Sequence, residues 1–514
     1  MFWADEIAGK LNKNDEQLVD DAFSTSGPAH LGSLRGFIIH DMAHKALILD
    51  GFRARFTFIL DDFDPVDELP GVDFDKDVIA AEMGKPLFLA LSPEKGKSLA
   101  EYYSEKIMAQ ACKAGVRPEY IKNSDLYKTG KMNEAIRAAL DNADKIRDIY
   151  KRITGAERPT DWLPFQPICE KCGKVGTTTA YKWDGKVVKY RCEKNKVDWA
   201  VGCGYEGEIS PLDGTGKLYW RVEWPARMST LGVTVEGEGK DHWVSGGSRE
   251  MADAIMREIY NYKSPQDIRY EFIVLHGKKM SKSKGTGITA EEITEILPLE
   301  LLRYLLAKNP RKEVDFDPEG ITIPNLFDDY DRAMKAYQNE VDFPDLGRAY
   351  EVVQESGFEP GYRMRFSKVA LAIQMPKVDI HKEAESEKGN ALSKYEAAKL
   401  EERIEYAGKW LDKYAPADFV FKVLEGKPPV ELSDIQKDFL KNLLEKFNSK
   451  KDWSGDELHS EIHEVKKSME ITPKDAFSAI YASFLGKESG PQAGWLLASL
   501  DHEFVAKRLT EMVE

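Results

Sequence analysis

Four lysines stand within the run His276-Gly277-Lys278-Lys279-Met280-Ser281-Lys282-Ser283-Lys284-Gly285. Ammonium groups at this density act as point charges suited to phosphate, and the small residues among them let backbone come close to a ligand. The preceding Tyr270-Glu271-Phe272-Ile273-Val274-Leu275 is β-branched and aromatic, and reads as one buried strand. The lysines are therefore expected on a loop leaving a strand end, where open α/β sheets bind ligands. A second phosphate-suited turn lies near the N-terminus. There Ser26-Gly27-Pro28-Ala29-His30-Leu31-Gly32-Ser33 precedes a helical stretch, Leu34 to Asp50. A helix N-terminus offers free N–H groups and partial positive charge, and His30 adds a donor. Ser33 is placed to cap the helix or to turn its hydroxyl to a ligand. Gly246-Gly247-Ser248 before a helix expected over 249–260 repeats the arrangement.

Two further groups carry chemistry. Asp61, Asp62 and Asp64 follow an expected strand, Arg55 to Leu60, where carboxylates hold an ammonium or orient a ribose, or form a solvated turn. Cys169-x2-Cys172 and Cys192-x10-Cys203 flank an expected hairpin, Thr177–Tyr181 with Lys186–Tyr190, around Asp184-Gly185. Two cysteine pairs beside a hairpin fit a zinc ribbon, although the second spacing is longer than the usual knuckle. Four thiolates leave no open position, so the expected Zn2+ is structural. Cys112, alone in a helical pattern, is expected to be a buried thiol.

The elements that position these groups follow from the wider pattern. At 514 residues the chain is too long for one core, and 42 % apolar content indicates ordered domains. Residues 1–21 read as an amphipathic helix carrying Trp3, Ile7, Leu11, Leu18 and Val19, and 22–26 as a first strand with its turn. Strand, turn, helix and strand make a βαβ unit, the start of a Rossmann-like half; the absence of GxGxxG disfavours a dinucleotide. Residues 97–152 look helical. Together with the cysteine segment, 165–208, they are expected to form an insertion, 97–212, between a first half, 1–96, and a second half, 213–285. Gly216 to Trp224 reads as a strand that brings Trp220, Arg221, Glu223 and Trp224 inside. A connecting region, 286–349, and an all-helical domain, 350–514, complete the expectation. The net charge of −15 confines any nucleic-acid contact to local basic patches, with Lys446–Lys451 and Lys466-Lys467 as candidates. Few cysteines, no membrane-length apolar run and no signal core suggest a cytoplasmic protein.

Lys279-Met280-Ser281-Lys282-Ser283 reproduces the KMSKS signature of class I aminoacyl-tRNA synthetases, and His30-Leu31-Gly32-Ser33 stands where their HIGH signature belongs. Trp220-Arg221-Val222-Glu223-Trp224-Pro225-Ala226-Arg227, Gly239-Lys240-Asp241-His242, Gly246-Gly247-Ser248, Tyr270-Glu271-Phe272 and Gly490-Pro491-Gln492-Ala493-Gly494-Trp495 resemble the class I lysyl-tRNA synthetases. Three positions depart from that family's usual pattern: Thr25 in place of Pro, Ser33 in place of Asn or Thr, and Glu223 in place of Asp.

The resemblance implies an α/β Rossmann-like class I catalytic domain with a zinc-containing insertion, followed by an α-helical anticodon-binding domain. It implies ATP-dependent activation of L-lysine, then transfer to the 3′ end of tRNA(Lys). Catalysis falls to His30, Lys279 and Lys282. ATP contacts fall to His30, Gly32, Ser33, Gly246, Gly247, Lys279, Ser281 and Lys282, with Mg2+ on the phosphates. A lysine substrate needs a carboxylate and aromatic walls. Ala22, Ser24, Trp220, Glu223, His242 and Tyr270 are the candidates. The metal ligands are Cys169, Cys172, Cys192 and Cys203. A monomer with no DNA or membrane partner is expected. Another class I synthetase such as glutamyl, or a catalytically inactive tRNA-binding paralogue, is the alternative.

Overall fold

The structure is a computed structural model that describes residues 1–29, 31–68, 76–275, 277–279, 290–355, 357–375 and 378–514. His30, Ser281 and Lys282 lie outside the described residues. The chain divides into two compact units. One comprises 1–316 with 342–354, the other 317–341 with 355–514. The connecting region expected over 286–349 is thus shared between them.

The first unit is built on a five-stranded, wholly parallel sheet. Its strands are β1 (Gln17–Ser24), β2 (Ala54–Asp61), β3 (Glu119–Lys122), β9 (Val235–Gly239) and β10 (Gln266–Tyr270), in the order β10-β9-β1-β2-β3. Between β3 and β9 lie β4 (Phe165–Pro167), β5 (Thr178–Trp183), β6 (Val188–Cys192), β7 (Glu206–Ile209) and β8 (Gly216–Leu218). β5, β6 and β7 form an antiparallel sheet of their own, and β4 pairs with β8. The helix Leu31–Leu49 joins β1 to β2. It is buried nearly all round, as a helix covered by other elements must be.

Several sequence expectations are corrected. The N-terminal helix runs only from Trp3 to Ala8, and β1 begins at Gln17. Gly9 caps the helix, and Asn12 forms an Asx turn, accepting from Asn14 N–H at 3.2 Å; its carbonyl accepts from Gln17 Nε2 at 2.8 Å. These turn formers stop the helical periodicity before Leu18 and Val19 can join it. β3 lies within the stretch read as helical insertion and pairs with β2, so the main sheet extends past residue 97. Trp220–Leu231 is a helix, not a strand. Its aromatic and β-branched start imitates a strand in local propensity, and packing overrides it. The strand expected over 270–275 is two strands in different sheets: β10 ends at Tyr270, and β11 (Ile273–Leu275) pairs with β12 (Lys278–Lys279) and β13 (Val314–Asp315). Cys112 is exposed.

The second unit is helical among its described residues. Its core gathers Phe439, Leu443, Phe447, Leu458, Ile462, Ile480, Phe484, Leu497 and Leu509. Capping boxes at Ser393/Glu396 and Ser454/Glu457 start two of its helices. No helix of the described residues is long and apolar enough to cross a membrane.

Candidate active site

All strands of the main sheet end on one edge, and the sheet reverses its winding between β1 and β9, where ligands of open α/β sheets bind. The pairing there is brief. Only Val19↔Val235 and Asp20↔Glu236 are joined, whereas β1 stays paired with β2 through Ser24↔Asp61. Beyond Asp20 the two strands part and open a cleft. The backbone groups freed by this splay are satisfied by side chains. His40 Nε2 accepts the Gly237 N–H at 2.7 Å, and Asp21 Oδ1 accepts the Ala22 N–H at 2.8 Å. A side chain on Gly237 would stand 2.9 Å from His40 Nε2, so glycine there is a steric requirement.

The cleft edge brings together most of the described candidates. Ala22 and Ser24 end β1, and Gly32 and Ser33 lie in the first turn of the helix Leu31–Leu49. Tyr270 ends β10, and His242 closes the short 3-10 turn Lys240–His242 after β9. Trp220, Trp224 and His242 form an aromatic triangle, with ring centroids 6.5 Å apart between the tryptophans and 6.0 Å from each to His242. Trp220 is 45 % exposed, against the expectation of an interior strand residue. Burial and the neighbouring Arg221 hold the His242 imidazole below its ordinary pKa, so it is neutral at pH 7. Gly247 precedes the helix Ser248–Glu258. A Cβ there would meet the His242 and Val244 carbonyl oxygens at 2.5 and 2.6 Å, both unyielding backbone. Gly246 adopts φ +72°, the left-handed region that favours glycine.

Glu223 is engaged by groups of the chain itself. Its Oε2 lies 2.8 Å from Lys217 Nζ, and its Oε1 accepts from Tyr127 Oη at 2.6 Å and Asn123 Nδ2 at 3.1 Å. Lys217 also donates to Asp64 at 2.5 Å and lies 3.9 Å from Asp61, which faces Arg227 at 3.6 Å. Asp61, Asp64 and Glu223 have the spacing of a cation site, but the cation among them is the chain's own ammonium. Burial opposes ionisation of Asp61, and Lys217 and Arg227 outweigh it, lowering its pKa. Burial first and Asp61 second push the Asp64 pKa up to about 7. Asp62 turns away to Ser124, whose N–H and hydroxyl it accepts at 2.7 and 2.6 Å.

Arg35, unmentioned by any motif, ties the helix Leu31–Leu49 to the strand pair that leads to the lysine run. Its guanidinium donates to the carbonyls of Glu271, Phe272, Leu306, Asn309, Pro310 and Lys312, at 2.6 to 3.2 Å. Those bonds hold the gap between β10 and β11. Lys279 stands on β12, paired with Val274.

The cysteines converge as predicted from their spacing. All four Sγ atoms lie within 4.8 Å of one another, with Cys169–Cys203 at 3.6 Å and Cys172–Cys192 at 3.7 Å. That is close to the ~3.7 Å edge of a tetrahedron with Zn–S bonds of ~2.3 Å, and too long for disulfides at about 2.05 Å. Cys192 Sγ accepts from the Cys203 N–H at 3.3 Å, a bond that orients the sulfur toward the cluster.

In the second unit, Lys446, Lys450 and Lys467 are engaged by Glu461, Glu457 and Glu464. Such paired lysines are ordinary solvated helix faces.

A parallel sheet with a splayed cleft at its switch point, flanked by two glycine-marked helix N-termini, has the architecture of class I synthetase catalytic domains. The family model described as "tRNA synthetases class I (K)" matches residues 1–356, and an "Anticodon binding domain" model matches 381–513. The chain belongs to the class I lysyl-tRNA synthetase family. It is 34 % identical to the Lysine--tRNA ligase of Thermoplasma volcanium over 100 % of this chain and 99 % of that protein. It is 34 % identical to Lysine--tRNA ligase 1 of Methanosarcina acetivorans, covering 99 % and 98 %. With the Archaeoglobus fulgidus Lysine--tRNA ligase it shares 32 % over 99 % of each. A solved glutamate tRNA ligase from Elizabethkingia meningosepticum aligns over 97 % of this chain at 14 % identity and a TM-score of 0.45.

Proposed function

We propose that this chain is a lysine–tRNA ligase, which activates L-lysine with ATP and transfers it to the 3′ end of tRNA(Lys). The observation that carries the reading is its full-length similarity to proteins of that name. The acid-lined cleft agrees with it. The buried cations Lys217 and Arg227 are committed to Asp61, Asp64 and Glu223, which leaves them poorly placed for a glutamate side chain.

ATP lies between the N-terminus of the helix Leu31–Leu49 and the lysine run, with its ribose toward Gly246-Gly247. The substrate carboxylate attacks the α-phosphate, and pyrophosphate leaves. His30, Lys279 and Lys282 stabilise the charge that develops on the phosphates, with Ser281 supporting the loop. No protein nucleophile is needed; positioning and electrostatics suffice. Mg2+ bound to the ATP phosphates would supply further charge neutralisation. Ser24, His242 and Trp220 border the amino-acid end of the cleft. Cys169, Cys172, Cys192 and Cys203 would hold a structural zinc that fixes the β5–β7 module, and the helical unit over 381–513 receives the tRNA anticodon. The protein works as a cytoplasmic monomer.

The test is ATP–pyrophosphate exchange with each amino acid, with and without total tRNA. Exchange stimulated by lysine is expected. Stimulation by glutamate alone would reject the lysine assignment and retain the reaction.

A further inference from the structure

The helical unit carries a pair of side chains suited to a metal ion, far in sequence from the cysteines. His459 and His463 stand one turn apart on the helix Gly455–Lys467 and share a face. Their Nε2 atoms lie 3.3 Å apart. Two nitrogens bound at ~2.0–2.1 Å to one tetrahedral ion are separated by ~3.3–3.4 Å. An N–H donor ordinarily sits ~2.7–3.2 Å from its acceptor, so the same separation makes a long hydrogen bond.

Both rings are held where they stand. They meet edge to face, with centroids 4.8 Å apart and planes at 85°. Phe477, from the helix Pro473–Leu485, lies against both, at 5.8 Å from the His459 ring and 5.3 Å from that of His463. The backbone is fixed as well. A Cβ on Gly494 would stand 2.3 Å from His459 N and 2.5 Å from its Cα, so the helix Ala493–Ala498 presses directly on this turn. Ligands anchored in this way lose little further freedom on binding.

As a hydrogen-bonded pair the histidines are poorly matched. Lys466 Nζ lies 3.3 Å from His463 Nδ1, and an ammonium only donates. The proton of a neutral His463 is then on Nε2, facing a lone pair on His459 Nε2. That puts the His459 proton on Nδ1, which is shielded from solvent and has no hydrogen-bond partner among the described residues. The pair gains one long bond and leaves one donor stranded. Burial first and His463 second hold His459 below its ordinary pKa, so its Nε2 lone pair is available at pH 7. Asp456, one turn earlier, accepts from the Trp495 indole N–H at 2.9 Å and adds negative charge near His459. Both imidazoles are half-buried, which leaves water access to the remaining positions of an ion.

We propose that His459 and His463 together bind a late first-row divalent ion, of the zinc, nickel and copper group, at a site separate from the four cysteines. Imidazole is a ligand these ions favour. On binding, the His463 proton passes from Nε2 to Nδ1 and the Lys466 ammonium turns to solvent. The ion ties two successive turns of the helix Gly455–Lys467 together.

The experiment is equilibrium dialysis of the full-length protein against Ni2+ at neutral pH, after its zinc content has been measured. Wild type is expected to take up one Ni2+ per chain that the double variant His459→Gln/His463→Gln, with the same cysteines, does not. His463→Gln alone should weaken that binding at least about tenfold, because one of two protein ligands is lost. Equal uptake by wild type and the double variant, or uptake by neither, would overturn the inference. Lys466→Met keeps both imidazoles and serves if the histidine variants do not fold. It should tighten Ni2+ binding at least about twofold, because the ammonium no longer competes for His463 or repels the ion; unchanged or weaker binding overturns the inference.

Discussion

Lys217 Nζ lies 2.8 Å from Glu223 Oε2, with both side chains almost wholly removed from solvent at 2 % and 1 % exposure. The residue that sequence reasoning assigned to a substrate ammonium is therefore bound to the chain's own. Lys217 comes from the end of the cysteine module and Glu223 from the helix that follows it. The pair, with Asp61 and Asp64, fastens that module to the C-terminal end of β2.

Removing the cation from this network should be costly. Lys217→Met leaves the buried Glu223 and the partly buried Asp61 and Asp64 facing one remaining guanidinium, and a broken buried ion pair costs about 3–5 kcal/mol. Urea unfolding of the variant should show the catalytic unit's transition moved to lower denaturant, with the helical unit's transition unmoved. Coincident wild-type and variant transitions would contradict the network's structural role.

The lysine run acts on the transition state. Lys279→Ala and Lys282→Ala are each expected to lower kcat for pyrophosphate exchange by about 10²–10³, the scale seen for loss of one oriented donor. The KM for lysine should move little. A change confined to KM would place these residues in ground-state binding.

Glu236 supplies a pH dependence. Burial first, and Asp20 second, raise its carboxyl from an ordinary 4.5 to about 8. The folded state thus holds a proton that the unfolded state releases. This contribution is fully present below about pH 4.5 and is lost as pH rises toward 8. Glu236→Gln, which keeps an acceptor for the Trp224 indole N–H, should stabilise the protein at pH 8 and change it little at pH 5. Equal effects at both pH values in thermal melts would refute the assignment.

The cysteine cluster predicts one zinc per chain by elemental analysis. Cys172→Ser should reduce that content and lower the melting temperature. The folded fraction should keep its ATP KM, because the cluster lies in the β5–β7 module rather than at the cleft. Full zinc content in Cys172→Ser would argue against a four-thiolate site.

Contiguous motifs with unusual residues were legible in the sequence. The cysteine ribbon, the glycine pair before the helix Ser248–Glu258, and the strand Arg55–Leu60 all fall where their spacing placed them. What was not legible depends on partners far apart in the chain. β3 is too short for a periodicity signal and is recognised only through its pairing with β2. Trp220 to Trp224 has strand-like composition but is helical, and Lys217 gives no local sign that it will meet Glu223 and Asp64. Arg35 reads as an ordinary helical arginine until carbonyls from 271 to 312 gather round it. Asp20 and Asp21 fall at the end of the helix expected over 1–21, whereas both are buried in β1.

The brief pairing of Val19 and Asp20 with Val235 and Glu236 has a bearing on how the protein is made. Translation is vectorial, so β1 leaves the ribosome early and finds β2 soon afterward. Its other neighbour is more than two hundred residues downstream. At about 5–20 residues per second, one edge of that central strand stays open for on the order of ten seconds or longer. A nascent chain with an uncapped strand edge is a target for chaperones and for mispairing. The paired aspartates on β1 place charge on that waiting edge, which discourages wrong partners until β9 arrives.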